Sequence, residues 1–155
     1  MGKYTAPVED HLILPARVGV TPGREREFRI AGVSIPTSVD IRLLIDTGSK
    51  RTILAPGLIR YLRTDPAGSA RLITTEAAVD ADLFWVRLEF PEARLESFPE
   101  ILVARLPMPG ALSQFHGLLG RDLLRRLESF DYEGRRGCYT IRDTSGLFGW
   151  LRRWL

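Results

Sequence analysis

The chain has 155 residues, of which 45% are hydrophobic, which is enough for one buried core, and no shift in composition marks a second domain. Its 22 basic and 19 acidic side chains leave a net charge of +3, and no basic run exceeds two residues, so charge does not favour a nucleic-acid partner. One cysteine and two histidines exclude an intrachain disulfide and a Cys/His metal site, so we expect no metal and no cofactor.

The first part of the chain predicts one strand and an ambiguous segment. The N-terminus has no apolar signal region and no run is long enough to cross a bilayer, so we expect a cytoplasmic location. Residues 1–11 are expected to be an N-terminal extension, and residues 12–20 predict a strand in which Pro15 favours an edge or a bulge. A turn is expected at 21–23. Residues 24–35 fit either a short strand with a turn or an irregular surface insertion.

The next strand ends in an acidic residue. Residues 39–45 alternate between apolar and polar side chains and become fully apolar at their end, which is typical of a strand that enters the core. Asp46 then follows, with Thr47, Gly48 and Ser49 behind it. An ionised carboxylate at such a place costs several kcal/mol without partners, so it indicates a function. A polar turn after a strand is the structural alternative.

The middle of the chain predicts a short helix and then mostly strands. A brief strand is expected at 52–54, and Pro56 fits the first turn of a helix that ends before 65–68. The segments that follow are rich in β-branched and aromatic residues and predict three strands, at 71–75, 83–90 and 98–106. A loop is expected at 107–110.

A second motif occurs about 70 residues after Asp46. It reads Leu118-Leu119-Gly120-Arg121-Asp122 and opens a segment in which leucines share one helical face. Beyond it, 128–132 and 137–142 predict a hairpin around 133–136. The segment 143–146 also contains an acid, hydroxyl side chains and a glycine. We predict a turn there, because we see no apolar strand before it and its glycine comes one position late.

Together, the two motifs resemble those of the retropepsin-like aspartic proteases, the single-lobe relatives of the retroviral protease. The resemblance extends over residues 12–142. It implies a mainly β fold, a closed orthogonal β-barrel with one or two short helices, and an active site at a homodimer interface. The implied activity is that of an aspartic endopeptidase acting on peptides or proteins. A non-catalytic module of the same fold, serving dimerisation or peptide binding, is the alternative.

The resemblance also implies roles for individual residues. Asp46 would be the catalytic acid, and Ser49 would donate to a carboxylate oxygen. Thr47 would bond across the two-fold axis, and Gly48 would leave room for substrate. Since this chemistry needs two carboxylates and the chain offers one, the second must come from another copy. The last motif would be structural, with Gly120, Arg121 and Asp122 beneath the active-site loop.

A flap over the cleft is implied between 72 and 83, with a tip that contains Thr75, Glu76 and Ala77. Two features depart from the retroviral pattern. No glycine lies between residues 68 and 110, so the tip should be stiffer or differently shaped. Lys50 and Arg51 stand where the retroviral enzymes have acids, and they would favour acidic ligands if they reach the cleft. Solvation, or pairing with a neighbouring acid, is the alternative.

The C-terminal segment, 143–155, is predicted to be an amphipathic tail. At 100° per residue its large apolar side chains fall within an arc of about 160°, opposite Arg152, Arg153 and Gly149. Packing on the protein's own dimer is the favoured interpretation. A membrane-surface contact and an autoinhibitory peptide in the cleft are the alternatives. The apolar side chains are those of Leu147, Phe148, Trp150, Leu151, Trp154 and Leu155.

Overall fold

Ten strands and three α-helices form the described part of the chain, residues 2–8, 10–74 and 76–143 of a computed structural model. The strands are β1 (Lys3–Pro7), β2 (Ile13–Gly19), β3 (Val39–Ile45), β4 (Ile53–Leu54), β5 (Pro66–Ile73), β6 (Ala78–Phe90), β7 (Leu95–Arg105), β8 (Gly117–Leu119), β9 (Ser129–Glu133) and β10 (Cys138–Arg142). The helices are α1 (Pro22–Ile30), α2 (Pro56–Leu62) and α3 (Arg121–Leu124). The flap residue Thr75 and the apolar part of the predicted tail, 146–155, lie outside the described residues.

Six of the strands close into a barrel. Their order is β2-β3-β8-β4-β7-β6, and a further pairing of β2 with β6 completes the ring. The pairs β3–β8 and β4–β7 are parallel, whereas the other pairs in the ring are antiparallel. β5 lies outside the ring and pairs only with β6. The predicted mainly β fold, with a closed barrel and a few short helices, is therefore confirmed.

β3 carries the chain from the barrel wall to the candidate site. Ile41, Leu43 and Ile45 are buried while Asp40 and Arg42 are exposed, so the strand predicted from the alternating pattern is confirmed. β2 pairs along it from Ile13↔Leu44 to Val18↔Val39 and turns its own apolar residues to the same core. Each buried aliphatic side chain stabilises the fold by about 1.5–3 kcal/mol, which fixes the end of β3 firmly in place.

The ambiguous segment after β2 is helical, so both predicted interpretations of it are wrong. Thr21 is the N-cap of α1 and accepts the backbone N–H of Arg24 at 3.2 Å, and Pro22 occupies the first turn. Only Phe28 of α1 is buried, and two guanidinium groups, those of Arg24 and Arg63, lie 4.7 and 4.9 Å from its ring centroid. This helix is stabilised by its N-cap and by one buried aromatic side chain. It therefore does not need an apolar stripe along one face, and its sequence shows none.

A separate three-stranded sheet, in the order β1-β10-β9, covers one end of the barrel. The predicted hairpin around 133–136 is confirmed as β9 and β10. Part of the expected N-terminal extension, β1, pairs with β10 from Lys3↔Arg142 to Pro7↔Cys138. One of our two reasons for dismissing the acid at position 143 is wrong, because β10 ends directly before Asp143 and its Tyr139 and Ile141 are fully buried. The turn predicted at 143–146 extends outside the described residues.

A second, smaller apolar cluster lies beside the main core. Ile53 of β4, Leu83 of β6 and Ala104 of β7 are buried in it, and Leu106 and Leu118 pack against it. This cluster joins the base of the β5–β6 hairpin to the barrel. None of the helices in the described part of the chain has the length and apolar content that a bilayer span requires.

Candidate active site

The Asp46 loop begins where β3 ends. The N–H of Asp46 donates to the carbonyl of Leu119 at 3.0 Å, which ties the first loop residue to β8. The N–H of Ser49 donates to the carbonyl of Asp46 at 3.2 Å and closes a tight turn. The Asp46 carboxylate is half-buried, and its Oδ1 accepts the N–H of Gly48 at 2.9 Å. A Cβ at position 48 would lie 3.1 Å from that oxygen, so glycine fits the turn best.

A hydrogen-bonded layer lies beneath this loop. The two oxygens of Asp122 accept the N–H of Thr52 at 2.9 and 3.0 Å, and Oδ1 also accepts the Thr52 hydroxyl at 2.8 Å. The same hydroxyl accepts the N–H of Gly120 at 3.1 Å. Thr52 is fully buried, and a buried network in which each of these groups is paired holds its members rigidly.

The start of α3 passes very close to the loop. A Cβ at Gly120 would lie 2.4 Å from the carbonyl carbon of Arg51 and 2.5 Å from its oxygen, so only glycine fits without a backbone shift. The N–H of Arg121 donates to the carbonyl of Ser49 at 2.9 Å, while its side chain is exposed. The structure thus brings the two predicted motifs into direct contact.

Two expected loop contacts are absent or depend on a second copy. Ser49 does not donate to the Asp46 carboxylate in the described residues, because its hydroxyl donates to the carbonyl of Arg51 at 2.7 Å. That bond stiffens the far side of the turn. Thr47 is exposed, and the contact that we expect from it across a two-fold axis stays a prediction.

The Asp46 loop forms the floor of a cleft of about 560 Å³. Asp46 is the only ionisable side chain among the described residues that line it. The other lining residues are mostly apolar, which gives a carboxylate in a largely apolar, open groove. They come from β3, β4, β5, β8, the Asp46 loop and the segment after β7, and they are Leu44, Gly48, Ser49, Ile53, Ile73, Thr74, Leu106, Pro107, Met108, Pro109, Leu112 and Leu118.

Sequence reasoning missed one wall of this cleft. Residues 106–109 and Leu112 line it, although the sequence predicted no more than a loop there. A signal was available, since Leu106, Pro107, Met108 and Pro109 form an apolar run where a solvated loop would be polar.

The predicted flap corresponds to the hairpin of β5 and β6. Its tip is a tight turn in which the Thr74 hydroxyl accepts the N–H of Ala77 at 3.1 Å and the N–H of Thr74 donates to the carbonyl of Ala77 at 2.9 Å. The side chain of Thr74 thus stabilises this turn by hydrogen bonding, whereas the glycine-rich flaps of the retroviral enzymes would turn by the conformational freedom of glycine. Ile73 and Thr74 line the cleft, whereas Glu76 and Ala77 are exposed and do not. Ile73 is 90% exposed and is thus a bare apolar side chain at the mouth of the cleft.

No group of three or more His, Cys, Asp or Glu side chains that could hold a metal ion occurs in the described ranges. The histidines have structural contacts. His11 packs edge-on against Phe115 at 5.1 Å between ring centroids, and Nδ1 of His116 accepts the N–H of Arg42 at 3.0 Å. The ionisable group that the described residues bring to the cleft is the Asp46 carboxylate.

Comparison with solved structures identifies the fold. The chain is similar to a retropepsin-like aspartic protease from Rickettsia conorii, with a TM-score of 0.55, 15% identity and 90% of each chain covered. It is also similar to the EIAV protease, solved with the inhibitor HBY-793, with a TM-score of 0.54, 13% identity, and 79% of this chain and 92% of that chain covered. No protein-family model and no curated protein matches the sequence. The protein has a retropepsin-like fold.

Proposed function

We propose that this protein is a homodimeric aspartic endopeptidase that hydrolyses peptide bonds with a water molecule activated by two Asp46 carboxylates, one from each subunit. The observation that carries the proposal is the position of Asp46, held half-buried at the end of a core strand on the floor of an open, largely apolar cleft. The likeness of the fold to aspartic proteases supports it.

The need for a second copy follows from the number of carboxylates. Aspartic proteases use two carboxylates about 3 Å apart that share one proton, because like charges that close do not both ionise. Asp46 is the only acid that the described part of the chain contributes to the cleft lining, so one subunit would supply half of the pair. A two-fold axis beside the Asp46 loop would bring the second carboxylate to the first.

In such a pair the two carboxyl groups divide the chemistry. The ionised Asp46 takes a proton from the water while the water oxygen attacks the peptide carbonyl carbon, and the protonated partner donates to the carbonyl oxygen. The tetrahedral intermediate then breaks its C–N bond as the carboxyl group that took the water proton passes it to the leaving nitrogen. A hydroxyl of the intermediate returns its proton to the other carboxylate, so the pair again holds one proton. The bond from Gly48 N–H to Oδ1 keeps the carboxylate in one orientation during these steps. Since one proton must stay on the pair, we expect activity to lean to acidic pH.

The cleft favours a peptide as the substrate. It is an open groove rather than a closed pocket, and its mostly apolar walls suit the side chains of an extended chain. Ile73 and Thr74 of the hairpin formed by β5 and β6 line it, which supports a role for this hairpin as a lid over bound peptide. With a single cysteine and no requirement for a disulfide, the cytoplasm stays the predicted location.

The test is a digest of a peptide library between about pH 3.5 and 7 with the wild type and Asp46→Asn. We expect cleavage by the wild type and a loss of at least about a thousand-fold in kcat/KM for the variant. Asp10→Asn is the matched control, because Asp10 is exposed and lies in no ion pair of the described residues. It should cleave like the wild type.

Sedimentation equilibrium on the same samples tests the dimer. Activity should follow the dimer fraction as the protein is diluted. Cleavage by a strict monomer would contradict the proposal. A folded dimer that binds peptides but cleaves none would instead identify the protein as a non-catalytic peptide-binding module.

A further inference from the structure

We infer that the cleft selects peptides that carry acidic side chains on either side of an apolar centre, through three cations beside the Asp46 loop: Lys50, Arg51 and Arg121. We call these three residues the basic rim. The inference names the substrate class for the proposed endopeptidase, and so rests on that function, but peptide binding tests it separately from cleavage.

The basic rim is brought together by backbone contacts around Ser49. Lys50 and Arg51 follow Ser49 directly, and Ser49 lines the cleft. The N–H of Arg121 donates to the carbonyl of Ser49 at 2.9 Å. Gly120 approaches Arg51 so closely that a Cβ there would lie 2.4 Å from the Arg51 carbonyl carbon. The backbone of Arg121, at the start of α3, is therefore bonded directly to the turn that precedes Lys50 and Arg51 at the edge of the cleft.

None of the three cations forms an ion pair with another of the described residues. The nearest acid along α3, Asp122, already accepts the N–H and hydroxyl of Thr52 and the N–H of Leu123. Arg105, which directly precedes the lining residue Leu106, differs from the three cations because it pairs with Asp82 at 2.6 Å. Lys50 and Arg121 are exposed, so their charges are available to a ligand.

The cleft and the rim together define the pattern of the ligand. Apart from Asp46, the residues that line the cleft carry no charge, so the residues next to the scissile bond should be apolar. The rim begins one residue beyond the lining, well within the roughly 8 Å over which charges act at physiological ionic strength. In a two-fold dimer the rim occurs at both ends of the groove, so an acid on either side of the bond meets a cation.

The experiment measures binding with the Asp46→Asn protein, so that cleavage does not interfere. The probes are two fluorescein-labelled octapeptide pools with four randomised apolar central positions, flanked on each side by Glu in one pool and by Gln in the other. Fluorescence anisotropy at about pH 6, where free Glu is ionised, gives Kd for both pools. The variant is Lys50→Gln with Arg51→Gln. The matched control is Arg26→Gln with Arg135→Gln, two exposed arginines on α1 and after β9.

We expect the Glu pool to bind about five-fold more tightly than the Gln pool, because exposed charge pairs each give a modest gain. The ratio should fall to near one in the rim variant or at about 0.5 M salt, and it should persist in the control. Equal binding of the two pools, or a preference that survives the loss of Lys50 and Arg51, overturns the inference. A clear preference for the Glu pool without any cleavage by the wild type would instead overturn the proposed function and leave the inference standing.

Discussion

Two aspartates each follow the last residue of a buried strand, yet their surroundings are opposite. Asp46 follows β3 and is half-buried, with one backbone N–H on Oδ1 and the rest of the carboxylate toward the cleft. Asp143 follows β10 and is 1% exposed. It accepts the N–H of Gly2 at 2.7 Å on one oxygen and the N–H of Glu96 on the other.

The difference lies in what the carboxylate is used for. At position 143 the carboxylate itself holds neighbouring segments together, because its two hydrogen bonds link Gly2 and Glu96 of β7 to the end of β10. At position 46 the support comes from other groups, namely Thr52, Gly120 and Asp122 in the layer beneath the loop. In the proposed function the Asp46 carboxylate takes and gives protons, which requires an oxygen that no supporting group occupies, so its position would have to be fixed by the layer beneath it.

The largest expected effect on stability comes from filling the space in that layer. Gly120→Ala would place a methyl group 2.4 Å from the carbonyl carbon of Arg51, and since backbone must move to relieve it, we expect a loss of about 3 kcal/mol in the free energy of unfolding. Gly57→Ala is the control, because no atom lies within 4 Å and the residue is in α2. It should gain about 0.5–1 kcal/mol. Urea unfolding measures both.

If Gly120→Ala were as stable as the wild type, the close packing beneath the Asp46 loop would be contradicted. An active but less stable Gly120→Ala protein would show that the loop keeps its shape when the layer shifts. The contrast between a carboxylate supported from below and one that supports its neighbours would then be weaker than the structure indicates.

Replacing each of the two aspartates by asparagine, in separate variants, should change the free energy of unfolding less than Gly120→Ala does. Comparing the two variants separates effects on stability from effects on activity. Asp143→Asn should lose about 2 kcal/mol, because the new amide nitrogen faces a backbone N–H that needs an acceptor. Asp46→Asn should change the free energy of unfolding by no more than about 0.5 kcal/mol, since that carboxylate is half-exposed. Equal losses in the two variants would erase the distinction between the two positions.

Much of the site could be predicted from the sequence because its signals are local. The alternation in β3 and the abrupt change at Asp46 arise from burial along one strand. The second motif carries a glycine and an acid whose contacts with Thr52 explain why those residue types occur there. The barrel follows from the resemblance and is confirmed by the ring of strand pairs.

The remainder depends on contacts that no local pattern records. α1 was missed because its stability comes from a Thr21 cap and from Phe28, without a repeating apolar face. The wall at 106–109 was missed because only the folded chain places it opposite the Asp46 loop. The surroundings of Asp143 were misjudged because its partners, Gly2 and Glu96, are 141 and 47 residues away along the chain.

The last stability effect concerns the sheet beside Asp143, and part of it appears only at alkaline pH. Burial raises the pKa of the Tyr139 phenol well above its usual range, and the neighbouring Tyr4 adds to this. In the unfolded chain a tyrosine titrates near pH ~10, so the contribution of Tyr139 is fully present below that pH and is lost as pH rises toward the folded pKa. The slope is at most about 1.4 kcal/mol per pH unit.

Tyr139→Phe should flatten this alkaline slope. It should also cost about 1 kcal/mol at neutral pH, since the hydroxyl donates to the carbonyl of Ile13. Urea unfolding at several pH values between about 8 and 11.5 measures both effects, and the groups that the wild type and the variant share cancel in the comparison. Tyr132→Phe is the control, because Tyr132 is 60% exposed and its variant should retain the wild-type slope. If Tyr139→Phe kept the full slope as well, the alkaline loss of stability would have to arise from groups other than the Tyr139 phenol. The burial of that phenol would then contribute less to stability than its contacts indicate.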